Sequence, residues 1–508
     1  MTVLVKQAAC LAARAARLTL SLSDACLPVR TAAAHRRAFS SALPAAYEEE
    51  DEQTVRVSTL KEPLAKTRPR LQELRQKLQT EGKVSPKDEK FMTAAAAPAP
   101  HLRLAKNEPL ASTSTTDGFT RDDWLALVDA LPDIPTSDAA NAATTALTDR
   151  FHRTHNYLRL SLAERCNLRC TYCMPADGVP LQPQQNLLQT DELLHLARFF
   201  RNAGVDKFRL TGGEPTLRAD LREIVQGLSD TQPRQIGMTT NGVALASKLP
   251  DLVQAGLNSV NVSLDTLQAD KWETLTRRPV SYLHKVLQAL EVCYEHMPHP
   301  SQIKINCVLQ RGVNTDEVAD FISLGLDRFP GIAVRFIEYM PFTDNGWELD
   351  KLVPYREVLA NLDELRNRNQ SLDWQWSKVP QTDPHDTTQW YKAWYDASGQ
   401  EDERHVNLGF ITSMSRPFCA GCNRLRLSAD GQLKVCLFGS TIHPHPPHLP
   451  SLWSLRDALR VGQLDDSQLA KLVYAALQTK ERALGGHDSP QMIHEHAREN
   501  KPMTLIGG

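Results

Sequence analysis

The sequence predicts an α/β fold: a mostly parallel sheet of about six strand–helix units, curled into a partial (incomplete) TIM-type barrel, with a C-terminal extension behind it. Three observations carry that prediction. From residue 157 onward, short β-like runs alternate with helical runs. The helical runs space their apolar residues near 3.6, and several end at glycine. Several strands place polar side chains at every second position, which gives each a polar face and an apolar face.

The elements follow in order. "RDDWLALVDAL" (121–131) predicts a helix at the edge of the folded part. Strands are expected at 157–163, 207–212, 235–240, 259–265, 303–310 and 333–340. Helices are expected between them at 191–204, 220–230, 249–256, 282–296 and 316–329. Such alternation needs helical crossovers between parallel strands. An open Rossmann-type sheet is the rival topology, but no G-x-G-x-x-G follows the first strand.

Side-chain alternation says where the charges go. Arg159 and Ser161 share one face of the first strand, and Leu158, Leu160 and Leu162 take the other. Lys207 and Arg209 share a face of the second, and Lys304 and Asn306 of the fifth. Helices cover the outside of a parallel barrel, so the apolar set should meet them. The cations then face inward, which is costly unless they bind an anion.

The flanking segments differ. Residues 1–45 are rich in Arg, Ala, Leu and Ser with a single acid, Asp24, and are expected to be a mitochondrial transit peptide. "RAFSSA" (37–42) has the look of a processing site. Residues 46–120 lack hydrophobic periodicity and are expected to be a linker, with a short helix near 60–82. The core is expected over 121–345 and a C-terminal region over 346–508. "DTTQWYKAWYDASG" (386–399) is aromatic-rich and suggests no role. A net charge of −2 gives no reason to expect nucleic acid or an anionic membrane. No apolar run approaches the ~18 residues of a membrane span.

Cysteine spacing points to chemistry. Of 10 cysteines, Cys10 and Cys26 lie in the leader, while Cys293 and Cys307 stand alone in apolar patterns and suit a core. Six remain as two triplets: Cys166, Cys170 and Cys173, then Cys419, Cys422 and Cys436. Odd-numbered clusters do not make a disulfide framework, and close thiols in a reducing compartment imply metal. Three thiolates can grip three corners of a cubane iron–sulfur cluster, leaving one iron open to a ligand. Zinc would call for a histidine, and none lies inside the first motif; His152 and His155 precede it.

"CNLRCTYC" (166–173) after the first strand and "TGGEP" (211–215) after the second resemble the radical S-adenosylmethionine superfamily. "CAGCNRLRLSADGQLKVC" (419–436) resembles the GTP 3′,8-cyclase (molybdenum cofactor biosynthesis protein A) family within it. "MTTNG", "NVSLDTL", "RFIEYMP" and the terminal "KPMTLIGG" extend the resemblance over roughly residues 155–508.

The resemblance implies two 4Fe-4S clusters and S-adenosylmethionine as cofactors. Cys166, Cys170 and Cys173 would hold the first cluster; Tyr172, Gly213, Ser263 and Met340 would contact S-adenosylmethionine. Gly212 and Gly213 would let backbone approach that ligand, and Glu214 would attract its ammonium. Cys419, Cys422 and Cys436 would hold the second cluster. Arg159, Lys207, Arg209, Thr239, Lys304, Arg424 and Arg426 would surround GTP. Arg159 and the terminal Gly507 and Gly508 would serve turnover. Implied partners are GTP, an electron donor and a downstream cyclic pyranopterin monophosphate synthase, with a homodimer as the candidate oligomer and the mitochondrial matrix as the location. A peptide-modifying radical enzyme with an auxiliary cluster is the rival activity, and a non-catalytic metal scaffold is a rival of another class.

Overall fold

The computed structural model describes residues 119–135, 145–368, 374–395, 404–439, 453–497 and 502–506. All fall within the unit His101–Gly508. The leader, most of the expected linker with its 60–82 helix, and Gly507 and Gly508 lie outside the described residues.

The six expected strands form close to where the alternation puts them: β1 (Tyr157–Ser161), β2 (Lys207–Thr211), β3 (Gln235–Thr240), β4 (Ser259–Ser263), β5 (Ile303–Leu309) and β6 (Ala333–Glu338). Neighbours pair in parallel in sequence order. Two strands from the C-terminal part extend the parallel run to eight. β9 (His405–Ile411) pairs with β6, and β10 (Arg424–Leu427) pairs with β1. Antiparallel strands finish both ends: β7 (Trp374–Lys378) and β8 (Thr388–Tyr395) beyond β9, and the short β11 (Leu433–Lys434) beyond β10. The roleless aromatic stretch is therefore mostly β8, whose Tyr391 and Ala393 are buried. The expectation of six strands misses β9 and β10 because no amphipathic helix follows them to mark a crossover.

Helices cover the apolar face. They are α1 (Arg121–Ala130), α2 (Thr190–Asn202), α3 (Leu221–Ser229), α4 (Leu249–Gln254), α5 (Ala269–Thr276), α6 (Ser281–His296) and α7 (Val318–Ser323), the last running into a π turn at Leu324–Arg328. Local chemistry starts them. In α1 the Thr120 hydroxyl accepts from the Asp123 N–H, and Asp123 accepts from the Thr120 N–H. The α5 helix was not expected; it ends at Arg277, in the left-handed region at φ 53°.

Leu158, Leu160, Phe208, Leu210, Ile236, Met238, Val260, Val262, Ile305, Val334 and Phe336 form the sheet's contribution to the core. Burying each contributes roughly 1.5–3 kcal/mol. Cys293 and Cys307 are also buried there. After β6 come α8 (Tyr355–Arg368), α9 (Leu455–Arg460), α10 (Asp466–Gln478), α11 (Pro490–Glu495) and the terminal α12 (Met503–Ile506). Among the described residues no helix is long and apolar enough to cross a membrane.

The loop joining β7 to β8 reaches the loop before β10, from the opposite end of the strand order. His385 Nδ1 lies 3.0 Å from the Gly421 carbonyl, and an Arg424 N–H donates to the His385 carbonyl at 2.8 Å. Gly421 is required there, since a Cβ would stand 2.2 Å from the Pro384 oxygen.

Candidate active site

The first cysteine loop has no regular hydrogen-bond ladder, so its carbonyls must find other donors. Arginines supply many of them. Arg169 donates to the Cys166 and Leu168 carbonyls, and Arg278 to Asn167 at 2.7 Å. Arg277 donates to Arg169 and Met174. The end of α5 adds two backbone ties, Arg169 N–H to Thr276 and Thr171 N–H to Leu275. The unexpected helix is thus a support for this loop.

The "TGGEP" glycines also let two backbones pack closely. A Cβ on Gly212 (φ +136°) would stand 2.4 Å from the Ala163 oxygen, and one on Gly213 would stand 2.3 Å from that of Arg165. The glycines let this loop press against the segment entering the cysteine loop. Glu214 also ties loops together. It is buried, and its carboxylate accepts from the Thr216 N–H and hydroxyl, the Thr240 hydroxyl and the Asn241 N–H. Those bonds tie the β2 loop to the β3 loop. Asn241 then donates to Asn167 at 2.7 Å and to Cys166 Sγ at 3.7 Å.

Burial raises the thiol pKa values of Cys166, Cys170 and Cys173, and nearby anions add to it: Asp265 for Cys170, Cys166 and then Asp265 for Cys173. Asp265 itself is pushed up to about 6 by burial, although the Val308 N–H and the Tyr172 hydroxyl oppose the shift. Tyr172, Tyr339 and Trp347 form a small buried group against Cys170, Cys173 and Met503. Ser263 ends β4, and Met340 follows β6 and packs against the same small apolar cluster that Cys419 and Met503 border. Met503 of α12 therefore touches the surroundings of both cysteine loops, and α12 runs directly toward Gly507 and Gly508 in sequence.

Strand register gathers the expected cations. Arg159 stands opposite Arg209 on one side and Arg426 on the other, while Tyr157 stands opposite Lys207 and Arg424. Thr239 and Lys304 flank Asn261, and Asn306 stands opposite Arg335. Period-two alternation puts all of these on the face away from the helices. Arg335 was missed by sequence reasoning, although Val334 and Phe336 on either side mark it as facing the cations. It donates twice to the Asn306 side-chain oxygen, Oδ1.

Tyr157 was missed too. Arg209 Nε donates to its hydroxyl at 3.2 Å, and Lys207 Nζ lies 4.7 Å from its ring centre. Burial works to raise its pKa, but Arg209, Arg159, Lys207 and Arg424 outweigh that and hold it well below the phenolic value.

These cations depress one another. Lys304 falls to about 7 through burial, then Arg335, Arg209 and Lys207. Arg335 and Arg426 each fall to about 9, burial first, then Arg209 and Arg159 respectively. Buried polar atoms on the same face, Ser161 Oγ, Asn261 Oδ1 and an Arg424 Nη, have no hydrogen-bond partner among the described residues. Such a face fits a polyanion.

The second triplet closes one end of this face. Arg426 lies within electrostatic reach of Cys436, and Arg424 of Cys422. The Leu484 N–H donates to Cys419 Sγ and the Lys480 ammonium to Cys422 Sγ, each at 3.4 Å. Burial acts to raise Cys422, yet Lys480 and Arg424 bring it down to about 7. His155 serves this loop rather than the first, through Lys480. Among the described residues no group of three or more His, Cys, Asp or Glu side chains stands at the spacing that a lone metal ion requires. A multi-iron cluster gives each thiolate its own iron, and both loops fit that donor chemistry.

Comparison with known proteins decides the family. Residues 160–325 match the model of the Radical SAM superfamily, and residues 332–485 match that of Molybdenum Cofactor Synthesis C. The chain is 43% identical over 399 residues to the mitochondrial GTP 3′,8-cyclase of Arabidopsis thaliana, covering 78% of this chain and 91% of that one. The chain belongs to the GTP 3′,8-cyclase family of radical S-adenosylmethionine enzymes. A further family member, the GTP 3′,8-cyclase of Listeria welshimeri, is 34% identical over 71% of this chain and 99% of its own length. Molybdenum cofactor biosynthesis protein 1 of Mus musculus is 46% identical over 71% of this chain, which spans only 51% of that longer protein. The cyclase family makes the first intermediate of molybdenum cofactor synthesis, and its radical domain implies a 4Fe-4S cluster and S-adenosylmethionine. Among solved structures, Streptococcus suis SuiB bound to precursor peptide SuiA matches with a TM-score of 0.44 and 12% identity, over 83% of this chain and 87% of that one.

Proposed function

We propose that this chain converts GTP to (8S)-3′,8-cyclo-7,8-dihydroguanosine 5′-triphosphate. The observation that carries the reading is the arrangement of seven cations on one sheet face, Arg159, Lys207, Arg209, Lys304, Arg335, Arg424 and Arg426, with cysteine triplets on adjoining loops. Cys166, Cys170 and Cys173 hold a 4Fe-4S cluster, with Tyr172, Gly213, Ser263 and Met340 around S-adenosylmethionine. Cys419, Cys422 and Cys436 would hold a second cluster, whose open iron would help anchor the purine. Held there, the first cluster and S-adenosylmethionine would supply the 5′-deoxyadenosyl radical needed to take hydrogen from C3′ of the ribose, so that C3′ could bond to C8.

The chain's own task is placement. The cations clasp the triphosphate, Thr239 lies beside them, and the proteinaceous walls keep C3′ facing C8. One further electron and a proton complete the reduction, so an electron donor is a required partner. A cyclic pyranopterin monophosphate synthase consumes the product.

Several finer readings belong here. The sheet is a partial barrel, supported by the His385–Gly421 contact between loops at opposite ends of the strand order. The core spans 121–345 and the C-terminal region 346–508, with 1–45 a mitochondrial transit peptide and 46–120 a linker. The mature protein works in the matrix as a homodimer. Gly507 and Gly508 serve turnover, a reading supported by Met503, just before them in sequence, which packs against the two apolar clusters that Cys419 and Cys170 border. Deleting both glycines lowers turnover and leaves the melting temperature in place; a large fall in that temperature would make the tail structural.

The test is anaerobic incubation of the reconstituted protein with dithionite, S-adenosylmethionine and GTP. Deoxyadenosine and a cyclised nucleotide are expected together. Deoxyadenosine that forms only when a peptide is added would transfer the chain to the peptide-modifying class.

A further inference from the structure

Residues 145–156, just before β1, carry no chemistry in the reading above, yet they grip the second cysteine loop. Arg153 is the hinge of that grip. Its Nε binds Asp149 at 2.7 Å, and its Nη atoms donate to the carbonyls of Cys419 at 2.8 Å, Arg482 at 2.9 Å and Glu481 at 3.0 Å. Two residues on, His155 is fully buried and meets Lys480, which is 2% exposed.

The protonation of this pair follows from geometry. His155 Nδ1 stands 3.1 Å from the Leu147 carbonyl, which can only accept, so Nδ1 carries the hydrogen. Nε2 of the neutral ring is then an acceptor, and Lys480 Nζ lies 2.8 Å from it. Lys480 has two more neighbours, the Arg424 carbonyl at 3.3 Å and Cys422 Sγ at 3.4 Å. All three are acceptors. A neutral amine has two N–H bonds and an ammonium has three, so the surroundings select the ammonium. Among the described residues no carboxylate pairs with it, and the thiolate of Cys422 is left as its counter-charge.

We propose that Lys480, held by His155 and the Asp149–Arg153 brace, is a positioning residue that presses a full positive charge against Cys422 and raises the reduction potential of the second iron–sulfur centre. Cluster potentials respond to net charge and to hydrogen bonds at the sulfurs. A buried ammonium donating to a ligand sulfur does both, and so favours the reduced cluster. The inference rests on the two-cluster reading above.

The test uses the full chain with Cys166, Cys170 and Cys173 all changed to Ala, so that only the second triplet can hold a cluster. Iron and sulfide content is measured first. If this background binds no iron, the two-cluster reading fails before Lys480 is examined. If it does, Lys480→Met, Lys480→Gln and Lys480→Arg are compared by redox titration followed by electron paramagnetic resonance. Removing the charge should lower the reduced-to-oxidised ratio at a fixed poise by about tenfold, which is about 59 mV for one electron. Lys480→Arg should recover most of that shift. An unchanged midpoint in a cluster-bearing Met or Gln variant overturns the proposal. Should neither neutral variant assemble a cluster, Lys480→Arg decides: a cluster near the original midpoint upholds the need for charge, and no cluster makes Lys480 a packing residue and overturns it.

Discussion

Cys170 and Cys422 are both partly buried thiols on short loops at the ends of parallel strands, but their neighbours carry opposite charge. Around Cys170 stand Asp265 and the other two thiols, which add to the effect of burial and push its pKa well up. Around Cys422 stand Lys480 and Arg424, which overcome burial and bring it to about 7. The loops are also built differently. The first is continuous, eight residues tied by Arg169, Arg277 and Arg278. The second is assembled from distant segments, with Cys436 beyond β11 and supports at 149–155 and 480–484. The difference teaches that three thiols specify the kind of metal centre, while the surrounding charges specify what that centre can do. Anionic surroundings keep a cluster strongly reducing, as breaking a sulfonium requires. Cationic surroundings suit a cluster that works beside a nucleotide.

The largest effect expected is from Cys166→Ala, which should abolish deoxyadenosine formation in an anaerobic assay. Cys419→Ala separates the two loops. Deoxyadenosine should still form, uncoupled, while nucleotide cyclisation disappears; loss of both activities would erase the division of labour.

Arg335→Leu probes the ground between the loops. Losing a charge-assisted phosphate contact of ~1.5–3 kcal/mol should weaken GTP binding about 10- to 150-fold, measured by equilibrium dialysis. S-adenosylmethionine binding should not change. The nucleotide-free variant should melt higher than the parent, because one member of a mutually repelling set is gone.

The smallest effect is the pH response of Lys304. Its folded pKa is about 7, depressed first by burial and then by Arg335, so the native protein binds fewer protons than the unfolded chain above that value. Nucleotide-free stability should therefore rise with pH between about 7 and the ordinary lysine value near 10.4. GTP affinity should fall over the same window as the ammonium deprotonates. Lys304→Gln should flatten both trends, and a trend that survives it belongs to another group.

Much of this was legible before any coordinates. Alternation located β1 to β6 and put Arg159, Lys207, Arg209 and Lys304 on one face, because side-chain direction in a strand is a local property. Cysteine spacing marked both triplets. What escaped was either unsupported by local periodicity or dependent on distant partners. The α5 helix is short, and β9 and β10 lack crossover helices. The bonds of Glu214 across to β3 escaped because two of its four donors, on Thr240 and Asn241, lie about 26 residues away on a second segment. His155 and Lys480 are 325 residues apart and gave no joint signal.

The amino-acid order alone determined the kind of chemistry: two sets of three thiols, a Gly-Gly-Glu-Pro turn and strands with a cationic side. Backbone geometry makes each of these readable within a few residues. Tertiary structure alone decided which charges stand beside which thiols, that Tyr157 sits among four cations, and that a segment ahead of β1 steadies the second loop. Coulomb interactions and hydrogen bonds act across space, so their outcome depends on how the sheet brings distant segments together.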